Sequence, residues 1–310
     1  MTMTTSHTAH LKMFAFTALI SLSFPIGSHI TAQLNPLVVT WIRYLLASLL
    51  FMGLLVGQKQ FRIPTAKDFA RYTVICLPAL TYFVTMFIAL QDTSALDTSA
   101  LYTTVPLMSA VLAAVIFRRR TPLTVIVALL GGMLGAGLII FRGDLSAAGS
   151  IALTSSNKIY LLGCLAMALN PIVVKKYYRG ESITHMTCWT LICATGLLTL
   201  GAAPQLATTD WAAISSDIWL GIGYLAVFAT ALSFFLFQQG SVSLAPEQVS
   251  AYTYLIPVMV LFVNRAMGQV EPWSHVGYGV VIVMLSMMVM IGGTSIISAL
   301  RRHKSLHPSN

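Results

Sequence analysis

The chain has 310 residues, of which 57% are hydrophobic and only 9% are charged, and its mean hydropathy is +0.81. A soluble domain carries about 25% charged residues, so this composition excludes an ordinary water-soluble fold and indicates a polytopic membrane protein. The net charge of +9 does not indicate a nucleic-acid partner, because most Lys and Arg residues fall in short loops between apolar segments.

Windows of about 20 apolar residues are candidate transmembrane helices, and short connections rich in Gly, Pro, Ser or charge separate them. The first window follows Lys12 and could imitate a signal peptide, but it contains Pro25 and many further windows follow, so we keep it as span 1. We therefore predict an all-α membrane protein with ten spans. They cover residues 12–30, 36–57, 69–90, 96–117, 122–141, 158–177, 183–203, 217–239, 247–267 and 274–298.

The distribution of basic residues gives these spans an orientation. With the N-terminus placed in the cytoplasm, fourteen Lys and Arg residues fall on the inner side and three on the outer side, while Arg43 lies inside span 2. Cytoplasmic loops of membrane proteins carry an excess of Lys and Arg. The sequence thus predicts that both termini are cytoplasmic.

Two stretches about 150 residues apart echo each other. Residues 100–108 read A-L-Y-T-T-V-P-L-M, and residues 251–259 read A-Y-T-Y-L-I-P-V-M. Because each half holds five spans, an odd number, the second half must enter the membrane in the opposite sense. We predict two inverted five-helix repeats around a central cavity. The repeats are residues 1–144 and 158–300, with a linker at 145–157 and a basic cytoplasmic tail at 301–310.

Polar and aromatic side chains spaced three and four residues apart lie on one face of a helix. Such faces occur in spans 3, 4 and 9, and the mid-span prolines free backbone carbonyls inside the membrane. The alternative is that Ser and Thr bond to their own helix and that Pro only bends it. The residues that we predict to line the substrate path are Arg43, Thr81, Tyr82, Tyr102, Pro106, Asn170, Trp189, Tyr254 and Pro257.

Arg43 lies about eight residues into span 2, on the order of 10 Å from the outer end of that helix. A cation at that depth costs roughly 2 kcal/mol or more unless it has a partner or water. We expect it to face the interior and to bind a carboxylate or phosphate of the substrate through its bidentate fork. Two alternatives are snorkelling to the outer surface and pairing with Asp92 or Asp97.

All nine acidic residues fall at span ends or in loops. A proton-driven exporter of cationic compounds usually needs a carboxylate within the membrane, so a cationic substrate is disfavoured. If protons are coupled, His29 or an acid at the rim must serve, although a lone His at a span end is more often structural. The sequence holds no H-E-x-x-H, G-x-S-x-G or Walker motif, so we expect no enzyme activity, no cofactor and no metal site.

Glycines cluster in spans 5 and 10. The spacing of Gly131 and Gly135 allows close helix contact, either within one chain or across a homodimer. Packing within the chain is the simpler expectation, and the choice between monomer and homodimer stays open.

The chain resembles the EamA-type family of the drug/metabolite transporter superfamily over essentially its whole length. The resemblance rests on Asn35-Pro36 followed by Arg43-Tyr44, on residues 89–107 and 238–258, and on Glu271. Two places depart from the family pattern. Arg118-Arg119-Arg120 stands where an acid is usual, and Leu22-Ser23-Phe24-Pro25 replaces an aromatic-Gly motif.

The resemblance implies a ten-helix bacterial inner-membrane carrier in which helices 1–4 and 6–9 surround the cavity while helices 5 and 10 lie at the periphery. Members of this family move amino acids and other small metabolites, often outward.

We therefore predict a secondary transporter that exports a small polar metabolite, amino-acid-like or otherwise carboxylate-bearing, by alternating access. One alternative is a membrane receptor or scaffold without transport, and another is a multidrug or sugar/nucleotide-type permease. The expected partners are the small-molecule substrate and the lipid bilayer, and no nucleic acid. Coupling to protons or to counter-flow of a second substrate is left open.

Overall fold

The computed structural model describes residues 3–31, 33–89, 100–144, 146, 154–266 and 276–291, and these residues form helices, turns and loops without a strand. The long helices, in chain order, are α1 (Met3–Thr31), α2 (Pro36–Gly57), α3 (Ala66–Ala89), α4 (Ala100–Ile116), α5 (Leu123–Ile140), α6 (Ser155–Tyr177), α7 (Ile183–Gly201), α8 (Ser216–Ser243), α9 (246–266) and α10 (Val276–Ile291). Six of them, α2, α3 and α5 to α8, are long and apolar enough to cross a membrane. The all-helical membrane fold is confirmed, whereas the count of ten spans stays a prediction.

Of the predicted span ends that fall on described residues, all but two lie within three residues of a helix end, and the ends at 90, 96, 267, 274 and 298 lie outside the described residues. Helix α1 begins at Met3 instead of residue 12, and α8 ends at Ser243 instead of residue 239. Hydropathy reports where apolar side chains stop, but a helix continues through polar residues because its backbone bonds remain satisfied. The extension of α8 packs on α1, since Gly240 lies against Met13.

Helices α4 and α9 are interrupted at corresponding places. In α4 a turn at residues 103–104 precedes the segment Val105–Ile116, and in α9 a 3₁₀ turn at Tyr252–Tyr254 separates Pro246–Ala251 from Leu255–Ala266. Pro106 and Pro257 follow these breaks, because a proline ring clashes with the carbonyl four residues earlier and donates no hydrogen bond.

Threonine hydroxyls close the two breaks locally. Thr103 Oγ1 donates to the Ala100 carbonyl at 2.6 Å, and Thr253 Oγ1 donates to the Ser250 carbonyl at 2.8 Å. The prolines therefore interrupt their helices and these threonines bond to their own backbone, as the simpler alternative in the sequence analysis had it. The breaks still leave irregular backbone inside the bundle, which membrane proteins tolerate where protein or water surrounds it.

Helix packing is reciprocal between the two halves. Helix α3 packs on α6 as α1 packs on α8, α4 packs on α6 as α1 packs on α9, and α3 packs on α7 as α2 packs on α8. If α1 to α5 are exchanged with α6 to α10, each contact in these three pairs becomes the other contact of its pair. This reciprocity supports the inverted repeat, which itself stays a prediction.

The connections gather at two ends of the bundle. We call the end formed by residues 58–65, 117–122, 178–182 and 244–245 the basic end, because it carries Lys59, Arg62 and the Arg118-Arg119-Arg120 run. The opposite end is formed by residues 33–35, 141–144 and 202–215, the last of which includes the short helix Ala203–Thr208.

Helices α5 and α10 cross with their backbones in contact. A Cβ atom added to Gly135 would lie 2.8 Å from the Gly279 carbonyl oxygen, and one added to Gly279 would lie 2.7 Å from the Gly135 oxygen. Gly131 meets the hydroxyl of Ser286 in the same way, at 2.7 Å. The predicted glycine contact is therefore made within the chain, between these two helices.

Replacing Gly135 with Ala tests this crossing. The added methyl overlaps backbone that cannot rotate away, so Gly135→Ala should lower the free energy of unfolding by about 1–3 kcal/mol, seen as a lower melting temperature in detergent. Gly223→Ala is the matched control, because a Cβ there meets nothing within 4 Å. Equal melting temperatures for the two variants would contradict the close contact.

Candidate functional site

Arg43 of α2 meets Thr230 near the middle of α8. The Arg43 Nε donates to Thr230 Oγ1 at 3.0 Å, and the Thr230 side chain is completely buried. This contact turns the guanidinium toward the interior of the bundle and not toward its outer rim. No carboxylate of the described residues lies within ion-pair distance of Arg43, and Asp92 and Asp97 lie outside those residues.

Thr230 belongs to a π-helical stretch of α8 that spans Val227–Leu232. Its hydroxyl donates to the carbonyl of Leu225, five residues earlier, at 2.8 Å. Single π-helical turns inside α-helices are rare and occur frequently at functional sites. The sequence analysis missed Thr230, because nothing in the amino-acid pattern signals a π-helical turn.

Tyr44, beside Arg43, connects the centre of the bundle to a row of aromatic rings. It packs edge-on against Phe234 of α8, with centroids 5.5 Å apart, and against Phe83 of α3 at 6.3 Å. The Tyr44 hydroxyl is buried and has no hydrogen-bond partner within the described part of the chain. A buried hydroxyl left unpaired costs about 1–3 kcal/mol, so this position suits a polar group of a ligand or a water molecule.

Three tyrosines from α3, α4 and α6 form the continuation of this row. The ring of Tyr82 lies 5.2 Å from that of Tyr102 and 6.0 Å from that of Tyr160, and the hydroxyls of Tyr82 and Tyr160 are 3.4 Å apart. Phe83 joins the two groups, since its ring is 5.3 Å from that of Tyr82. The structure thus brings Tyr82 and Tyr102, two of the predicted path residues, together and adds Tyr160 to them.

Tyr160 was not predicted from the sequence, because it lies near the start of span 6 and outside the polar helix faces of spans 3, 4 and 9. The sequence does hold one signal, a glycine three residues further along the helix. Gly163 lets α6 approach α3, since a Cβ there would overlap the hydroxyl of Thr85. Close approach of these two helices is what places Tyr160 beside Tyr82.

Other predicted path residues lie elsewhere. Tyr254 is buried and packs its ring on Gly132 of α5, and it makes no ring contact with Tyr82, Tyr102 or Tyr160. Trp189 lies near the basic end, where its Nε1 donates to His185 at 3.2 Å and its ring packs edge-on against Phe69 at 5.2 Å. The structure does not bring these two residues together with Arg43.

The remaining predicted residues have varied surroundings. Asn170 is buried in α6, where its amide lies 3.9 Å from the sulfur of Met167. Thr81 is exposed, although its neighbour Tyr82 is buried. Pro106 and Pro257 occupy the helix breaks already described.

The basic end is closed by a buried network around Arg71 of α3. Its guanidinium bonds to Glu181 at 2.5 Å, to the Tyr177 carbonyl at 2.9 Å and to the Tyr72 hydroxyl at 2.9 Å. The side chain of Arg71 is only 6% exposed. This network ties the start of α3 to the connection between α6 and α7.

A second closure at the basic end joins the two halves. Arg119 pairs with the buried Glu247 at 2.5 Å, and Lys175 Nζ donates to the Leu244 carbonyl at 2.5 Å. The sequence analysis assigned Arg119 no partner, because Glu247 is 128 positions away along the chain.

The opposite end is held more loosely in its described part. His29 and Asp217 approach to 3.2 Å there, but their side chains are 63% and 61% exposed. A pocket of about 340 Å³ lies beside them, lined by residues of the connection between α1 and α2 and of the segment before α8, including Asn35, Gln205 and Asp210. Among the described residues, the ion pairs with a buried partner thus lie at the basic end, and the pair at the opposite end is exposed.

Comparisons with known proteins agree with this architecture. The model of the EamA-like transporter family matches twice, over residues 7–141 and 156–292, close to the two predicted repeats. Two Bacillus subtilis proteins, named as the uncharacterized transporters YyaM and YetK, are similar to the chain. YyaM is 19% identical over 91% of this chain and 93% of its own, and YetK is 21% identical over 97% and 90%.

A solved crystal structure of another protein shares the fold, with a TM-score of 0.75 and 14% identity over 92% of this chain and 97% of that chain. Together with the apolar helices, the double family match establishes what kind of protein this is. The chain belongs to the EamA-like transporter family of the drug/metabolite transporter superfamily and is a multi-pass membrane transporter.

Proposed function

We propose that the protein exports a small, carboxylate-bearing metabolite such as an amino acid across the bacterial inner membrane. The observation that supports this most is the position of Arg43, which Thr230 holds in the interior of the bundle without a carboxylate partner in the described residues. A guanidinium in such a place is costly unless an anion reaches it. A substrate carboxylate supplies that anion and fits the planar fork of the arginine.

The surroundings of Arg43 favour a small substrate with an apolar portion. Tyr44 and Phe83 offer ring edges on the α3 side, and Phe234 lies one turn beyond Thr230 on α8. Small-molecule sites are mostly apolar, with a few polar groups that fix the orientation of the ligand. Here the guanidinium would fix the carboxylate, and the aromatic row would accept the remainder.

Alternating access is supported by the difference between the two ends of the bundle. Buried ion pairs close the basic end, whereas the described part of the opposite end has an exposed His29–Asp217 contact beside a pocket. The excess of Lys and Arg in the loops of the basic end supports a cytoplasmic location for that end. Transport would then require the Arg71–Glu181 and Arg119–Glu247 pairs to separate while the opposite end closes.

The carboxylate contact is tested by flux measurements in proteoliposomes with each of the twenty radiolabelled L-amino acids. Arg43→Ala should lower flux of the transported amino acid about 10- to 100-fold, because a hydrogen bond to a charged group is lost. Arg62→Ala is the control, since Arg62 is exposed in the loop before α3. If Arg43→Ala leaves the flux of every transported acid unchanged, the proposed contact is wrong.

Movement at the basic end is tested by labelling Ser250→Cys in a variant without the four native cysteines. Ser250 is buried near the start of α9, so an impermeant maleimide should react slowly with it in inverted membrane vesicles. Arg119→Ala removes the partner of Glu247 and should raise the labelling rate roughly tenfold. Arg120→Ala, the neighbouring exposed arginine, should not. Slow labelling in every variant, with or without amino acids, would favour a receptor or scaffold that never opens.

A further inference from the structure

We propose that Thr230 is a positioning residue, and that the π-helical turn of α8 places its hydroxyl to hold Arg43 Nε while the two terminal nitrogens of Arg43 face the substrate. This inference rests on the proposed carboxylate contact and extends it to a residue for which neither the amino-acid pattern nor the family match gives a role.

The hydrogen bond divides the donors of Arg43 into two sets. A guanidinium has five N–H donors and no acceptor. The one on Nε points to Thr230 at 3.0 Å. The four on the terminal nitrogens take part in no ion pair with the described residues, and they form the fork that binds a carboxylate through two parallel bonds.

The direction of the bond is fixed from the α8 side. The Thr230 hydroxyl gives its only proton to the Leu225 carbonyl at 2.8 Å, so its lone pairs are free to accept from Arg43. Threonine is branched at Cβ and therefore stiff about χ1, and the side chain is fully buried. The acceptor consequently stands at a fixed point, and it restrains a long side chain that otherwise samples many rotamers.

The π-helical winding sets this acceptor in place. Thr230 bonds five residues back, to Leu225, whereas Ser233 just after the π-helical stretch bonds four residues back, to Ala229, as in an ordinary α-helix. One extra residue in a turn rotates all that follows by about 100° around the helix axis. In a regular helix the Thr230 hydroxyl would be presented in a different direction, and the bond to Arg43 would not form as it does here.

A guanidinium that is held in one orientation should affect selectivity between substrates more than it affects binding in general. Two parallel hydrogen bonds distinguish a carboxylate from a neutral carboxamide, which offers one acceptor and one donor. Loss of the restraint should therefore weaken the preference for the acid. It should leave the contacts of the apolar part of the substrate unchanged.

The experiment uses the full-length protein in proteoliposomes. The probe is the L-amino acid whose flux depends most on Arg43, together with the carboxamide of that amino acid as its neutral analogue. Thr230→Val keeps the shape but removes the hydroxyl, and it should raise KM for the acid about tenfold relative to KM for the carboxamide. Thr230→Ser should restore the wild-type ratio. Thr195→Val is the control, because the buried Thr195 hydroxyl bonds only to its own helix, at Leu191.

A double-mutant comparison separates positioning from a general packing effect. In an Arg43→Gln background, Thr230→Val should cause no further change in the ratio of the two KM values, because the group that it positions is gone. Should Thr230→Val fail to fold, Thr230→Ala carries the same comparison, with the melting temperature as the check on folding.

The outcomes distinguish the two proposals. If Arg43→Ala reduces flux while Thr230→Val leaves the KM ratio unchanged, Thr230 is not a positioning residue and the carboxylate contact stands. An equal loss of flux for acid and carboxamide in Thr230→Val, unchanged by Arg43→Gln, would show a packing role and also overturn the inference. If Arg43→Ala has no effect on any acid, both proposals fail.

Discussion

The guanidinium of Arg43 inside an apolar bundle is the constraint on which the proposed site depends. A membrane interior offers no water to solvate a cation, so every group within reach must either stabilise the charge or leave room for something that does. Thr230 supplies one acceptor at 3.0 Å, and the described residues supply no carboxylate. The Tyr44 hydroxyl, on the neighbouring residue, is buried and has no hydrogen-bond partner among the described residues.

The irregular helices can be understood from the same need to satisfy polar groups without water. Helix α8 takes a π-helical turn at Thr230, and α4 and α9 break just before Pro106 and Pro257. Each irregularity is closed by a threonine hydroxyl that donates to a backbone carbonyl three to five residues earlier. Threonine is suited to this because it carries its own donor to a carbonyl that the helix no longer satisfies. Hydrogen bonds from threonine side chains therefore stabilise the irregular backbone at these three places.

The described ion pairs at the two ends of the bundle differ in how far they are exposed to solvent. At the basic end, Arg71 and Glu247 are buried and each has an ionic partner, so separating either pair leaves a charge in an apolar place. At the opposite end, His29 and Asp217 are both exposed, and water can replace either partner at little cost. In a protein that alternates between two openings, such a difference favours the state that is closed at the basic end.

Composition, helix positions and family membership were determined by the sequence alone, because each depends on local hydropathy, on prolines that cannot join a helix, or on residue order. The same holds for the position of Arg43 about eight residues into α2. Tertiary structure alone decided that Thr230 and Tyr160 join the candidate site, that Tyr254 turns toward Gly132, and that Arg119 meets Glu247. These contacts join residues 78 to 187 positions apart, or rotate a side chain around its helix axis. A local stretch of sequence does not specify such distant contacts or the rotation of a side chain around its helix axis, because both are fixed only when the helices pack.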